Sequence, residues 1–160
     1  MGANGGQARR GSRRAEPTRA KLRERVKELD CIYGIAQVAA RWNSTMERDA
    51  QDIVELLPRA WQYPEAATAR VTIDGRDYAT PGHAPGVAGL EAGILVDGKP
   101  RGAVEVRYAK RKPAADEGPF LREERRLIDA VARLLGLLVE RTDAAQERAG
   151  TEQRLLQADR

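Results

Sequence analysis

The side chains able to act as acid, base or nucleophile near neutral pH are few: one histidine and one cysteine. His83 lies in Thr80-Pro81-Gly82-His83-Ala84-Pro85-Gly86, a Pro/Gly-rich stretch that reads as a mobile loop with the imidazole on its surface. A lone histidine cannot build a His-based metal triad or a Ser-His-Asp arrangement with a supporting second His. Cys31 has no partner for an internal disulfide and excludes a Cys-rich zinc module. It sits between Leu29 and Ile32 on a helical stripe, so it reads as a buried structural thiol; a reactive thiolate needs a cationic, open setting. Glu123 and Glu124 fall where a helix should begin and complement its dipole, rather than forming an acid/base pair. The glycines at 82, 86, 89 and 93 lack the strand-before, helix-after context of a phosphate loop. Trp42, Trp61 and Tyr63 could suggest an aromatic box, but aromatics at helix ends read as core anchors. No catalytic, cofactor-binding or metal-ligating residue is assigned, and no cofactor is expected.

The elements around these residues follow from periodicity. Leu22, Val26, Leu29, Tyr33, Ala36 and Ala40 recur at alternating spacings of four and three within a helix over about 18–42, and Ile32 and Ile35 widen the stripe. Asn43-Ser44-Thr45 should end it. A second helix, about Asp49 to Trp61, collects Ile53, Leu56, Leu57 and Ala60 on one face, with Pro58 tightening its last turn. The period then falls to two. Ala69, Val71 and Ile73 alternate up to Asp74-Gly75, and Tyr78 opens a return strand. Leu90, Ala92, Ile94 and Val96 alternate up to Asp97-Gly98, and Val104, Val106 and Tyr108 alternate back. Asp-Gly between alternating apolar residues is a strong hairpin signal, and two of them predict an antiparallel sheet of four to five strands. Pro119 precedes a long helix carrying Leu127, Val131, Leu134 and Leu138, flanked by Ile128, Leu135 and Val139. An Asp129–Arg133 pair supports it, and Gly150 is a candidate break. The fold class is α+β, with helices flanking an antiparallel sheet.

The chain has 160 residues, 41% hydrophobic and 32% charged, which suits one domain with tails. Residues 1–30 hold nine basic and four acidic side chains; the remaining 130 hold nineteen and twenty. The net charge of +4 therefore belongs to the start, and the body is nearly neutral. Residues 1–17, Gly- and Arg-rich, read as a disordered basic tail. No apolar run is long enough to span a bilayer, and no apolar segment of a secretory signal follows the arginines, so a soluble cytoplasmic protein is expected, without a membrane partner.

Leu56-Leu57-Pro58, Trp61-Gln62-Tyr63-Pro64-Glu65, Ala69-Arg70-Val71 and Asp74-Gly75, with Glu117-Gly118-Pro119-Phe120-Leu121 and Glu123-Glu124-Arg125, resemble the GAF-like sensory domains attached to bacterial sensor histidine kinases. The likeness runs from about Leu22 to Arg141. Leu155-Leu156-Gln157-Ala158-Asp159-Arg160 resembles the opening of the dimerisation and phosphoacceptor helix of those kinases. Their phosphorylated His lies about two helical turns or more further on, so the likeness implies an input half without the phosphoacceptor or ATP-binding domain. It divides the chain into a tail (1–17), a GAF-like domain (18–142) and a helical linker (143–160). Many GAF domains hold a small ligand beneath a helical lid. Here the Ala79–Gly89 connection is too short for such a lid, so a small or vestigial pocket is expected and a small-molecule ligand is left open.

These readings converge on a non-catalytic sensory module of a two-component system, relaying a signal through a parallel dimeric helix bundle. The expected homodimer interface is Leu22, Val26, Leu29 and Tyr33 with Leu127, Val131, Leu134 and Leu138. A downstream kinase domain or kinase partner is expected. The alternative is binding of nucleic acid or another acidic surface through the basic tail, weakened by the absence of interleaved aromatics. A GAF-related methionine sulfoxide reductase would need several cysteines, and this chain has one.

Overall fold

The computed structural model describes residues 15–42 and 46–158. Of the expected tail at 1–17, residues 1–14 lie outside the described residues, as do the expected helix end at Asn43-Ser44-Thr45 and Asp159-Arg160. Residues 15–17 are already helical and move the boundary back to Ala15. In chain order the elements are α1 (Ala15–Ala40), α2 (Met46–Leu56), two 3-10 turns (Pro58–Ala60 and Pro64–Ala66), β1 (Ala67–Ile73), β2 (Arg76–Ala79), β3 (Ala88–Val96), β4 (Lys99–Tyr108) and α3 (Arg122–Ala158).

The two Asp-Gly pairs turn their hairpins as expected. Asp74 and Gly75 have φ of 50° and 81°, and Asp97 and Gly98 have 52° and 73°. Both central residues are left-handed in each turn, as the right-handed strand twist requires of a two-residue hairpin. The sheet has four strands in the order β2-β1-β4-β3, all antiparallel. β1 pairs with β4 from Ala67↔Tyr108 to Ile73↔Gly102, which joins the hairpins through their central strands.

Alternation in the strands sorts their residues onto two faces. Ala69, Val71, Ile73, Leu90, Ala92, Ile94, Val104 and Val106 are buried on one face. α3 packs there against β3 and β4, and α2 against β1 and β2. α1 forms an outer layer on α2 and the first 3-10 turn. Trp42 Nε1 donates to Thr142 Oγ1 at 2.7 Å, clasping the end of α1 to α3. Trp61 is fully buried, Tyr63 meets Tyr108 edge-on, and Tyr108 stacks on Phe120 at 4.9 Å. The aromatics expected as core anchors hold the helix–sheet junction.

The helices depart from expectation at Pro58, Gly150 and Asp129. α2 closes at Leu56 and a 3-10 turn takes over at Pro58, because proline lacks the N–H that would continue the helix. Gly150 does not break α3, which runs through it to Ala158; one glycine costs about 1 kcal/mol relative to alanine, too little to stop a long helix. Asp129 pairs with Arg125 at 3.2 Å, where Arg133 was expected. Arg125 is already aimed by Glu117 at 2.6 Å and by the Glu91 carbonyl at 2.8 Å.

Candidate functional site

Three places gather the residues of interest: the polar face of the sheet, the start of α3, and the bare faces of the two long helices. The polar sheet face contains the main correction to the sequence reading. Strand register sets Arg70 opposite Glu105 and Thr68 opposite Arg107, all turned away from the helices. The connection between β2 and β3 folds over them instead of standing free. Thr80 N–H donates to the Ala69 carbonyl, Val87 N–H donates to the Tyr108 carbonyl, and Gly86 lies so close to that same carbonyl that a Cβ would stand 2.4 Å from it. His83 is thereby carried inward, with its side chain only 8% exposed, and is not the surface imidazole expected.

Both His83 nitrogens are engaged. Nε2 lies 3.0 Å from Glu105 Oε1, and Nδ1 lies 2.9 Å from Thr68 Oγ1. With the ring proton on Nε2, that nitrogen donates to the Glu105 carboxylate and Nδ1 accepts from the Thr68 hydroxyl. Glu105 also meets Arg107 Nε at 3.0 Å and Arg70 at 3.6 Å. Burial pushes the Glu105 carboxyl up, but Arg107, His83 and Arg70 together hold it below the usual glutamate range. The result is an ion cluster gathered on Glu105 Oε1 that pins a loop.

At the start of α3, Glu124 is buried and works as a cap. Its Oε1 accepts from Leu121 N–H at 2.7 Å, the back-bond of a capping box. Its Oε2 accepts from Gln62 N–H at 2.9 Å, and Arg122 N–H donates to Asp116. Burial raises the Glu124 carboxyl, and these hydrogen bonds oppose that rise. The helix-start role read for Glu124 holds. Cys31 is buried, and burial followed by nearby Glu28 pushes its thiol up to about 12, away from thiolate chemistry. No group of three or more metal-ligating side chains occurs among the described residues.

No family model, curated protein or solved structure matches the chain.

The eight expected interface residues divide sharply. Leu22, Val26, Leu29 and Tyr33 stand bare at 59, 55, 56 and 67% exposure. Leu127, Val131 and Leu138 are 2–3% exposed, buried within their own protomer, and Leu134 packs half-buried against that core. The α3 half of the expected interface is instead taken up by packing against β3 and β4. Leu137, further apolar surface on α3 in the sequence reading, faces outward at 63% exposure. On α1 the reverse holds. It docks through Cys31, Ile35, Val38 and Trp42, a second stripe, and leaves the continuous one in solvent.

A cavity of about 610 Å³ opens between α2, the β1–β2 hairpin and α3. Its charged lining is paired internally: Arg101 bonds both Asp74 at 2.7 Å and Asp143 at 2.8 Å, and Arg76 pairs with Glu47. Among the described residues no helix is long and apolar enough to cross a membrane.

Proposed function

We propose that this chain is a non-catalytic sensory or regulatory input module of GAF-like type, acting as a homodimer and relaying a signal along its helices to a histidine-kinase output. The reading rests on one observation above all. α3 is a single helix of 37 residues whose Leu127–Val139 stretch is core and in which no residue beyond Val139 is buried. At about 1.5 Å per residue it reaches some 55 Å. A displacement of the sheet would therefore move a rigid rod directly, with no hinge between core and projecting end. The two engaged nitrogens of His83 and the buried high-pKa thiol favour regulation over catalysis.

The test is a fusion in which a reporter histidine-kinase core follows α3, with one to seven residues inserted between Gly150 and Thr151. Output should rise and fall with insert length, because each added residue turns the helix by about 100°. Output that ignores insert length would rule out a helical relay.

A further inference from the structure

Among the described residues before Cys31, from Thr18 to Asp30, α1 has no buried side chain. A helical stretch with no fully buried side chain is marginal in water, because helices draw most of their stability from packing an apolar face. Yet this stretch carries Leu22, Val26 and Leu29, and the same line continues through Tyr33, Ala36 and Ala40, all exposed. Their alternating four-and-three spacing is a heptad seam, with Leu22, Leu29 and Ala36 at d and Val26, Tyr33 and Ala40 at a. The seam keeps a 3.5-residue period, which suits a helix winding around another helix rather than one lying on a sheet.

We propose that this seam pairs with the α1 of a second copy of the chain, parallel and in register, as a two-stranded coiled coil. Three observations select that occupant. Val26 at a between Leu22 and Leu29 at d is the combination that favours parallel dimers. The flanking charges then complement each other. Arg25 falls at g and Asp30 at e, five residues on, so each Arg25 meets Asp30 of the opposite copy twice around the axis. Both side chains are exposed, and neither is ion-paired to another described residue of its own chain. An antiparallel pair sets g against g and e against e, which forfeits this match. Finally, Ala36 and Ala40 narrow the seam at its far end, where the two bodies must come together. The pairing deepens the relay reading, since it supplies the two-copy bundle, but it is measured separately: oligomeric state reports the seam, and the reporter fusion reports the relay.

The full chain is examined by light scattering from about 1 μM to about 1 mM. A concentration-dependent dimer is expected. Leu29→Glu, at an exposed site, should abolish it while circular dichroism shows the sheet and α3 retained. Arg25→Asp alone should weaken the dimer about 10-fold, as should Asp30→Arg, and the double exchange should restore it. In a Cys31→Ala background, Leu22→Cys should oxidise to a covalent dimer. In an antiparallel pair centred on the seam, the two introduced thiols would lie about 27 Å apart. A chain monomeric throughout the range means that another protein or a lipid surface covers the seam, and overturns the proposal. So does a dimer indifferent to Leu29→Glu, or one that fails to form the Leu22→Cys disulfide.

Discussion

Glu105 shows how a buried charge can be tolerated on a half-open sheet. Two arginines and an imidazole replace the water it loses, and the carboxyl is held below its ordinary range despite burial. The linkage sign follows. A carboxyl whose folded pKa is depressed adds stability that is present above the unfolded value, near 4.3, and is lost as pH falls through the folded one. Glu105→Gln should therefore cost about 2 kcal/mol at pH 7 in urea unfolding. The gap between wild type and variant should close as pH is lowered below the ordinary glutamate range. A gap that persists in acid would mean that packing, not charge, anchors the loop from Thr80 to Val87.

At the scale of elements, two glycines of α3 separate helix propensity from packing. Gly136 faces β3, where a Cβ would stand 2.5 Å from the Leu95 carbonyl oxygen. Gly150 meets no atom within 4 Å. Alanine is the better helix former at both sites by about 1 kcal/mol, but at Gly136 it must push the helix off the sheet. Gly136→Ala should lower stability by about 2 kcal/mol, read from the denaturation midpoint. Gly150→Ala should raise the helical signal in circular dichroism and leave the midpoint almost unchanged. The capping box at Leu121 and Glu124 belongs to the same scale: it starts α3 directly after the Glu117–Phe120 turn, which fixes where the rod leaves the sheet.

For the whole molecule, the sheet, α2 and the Leu127–Val139 part of α3 form one core, from which the two long helices leave with bare surface. Past the clasp of Trp42 on Thr142 and of Arg101 on Asp143, α3 contributes nothing to that core. Removing residues 148–160 should shift Tm by no more than about 2 °C, the span expected when only exposed groups are lost. A larger fall in calorimetry would show that the projecting end is supported by the body. That outcome would count against an independent lever.

How much of this was legible in the sequence depends on the range of the forces involved. The hairpins at Asp74-Gly75 and Asp97-Gly98, the alternation in β1, β3 and β4, the place of Glu124 at a helix start and the seam on α1 all express local rules of backbone geometry and side-chain period. They were readable residue by residue. Which of two apolar stripes a helix buries is not a local property. α1 and α3 both offered a broad face, and only the approach of the sheet to Leu127, Val131 and Leu138, and of α2 to Cys31 and Ile35, decided which leucines became core. The place of His83 is the same kind of fact. Its own loop says surface, but β1–β4 register brings Thr68, Arg70, Glu105 and Arg107 together beneath it, and that register joins residues too far apart in the chain for any short window to connect. The sequence by itself determined the elements and their turns; the tertiary structure decided which faces were left uncovered.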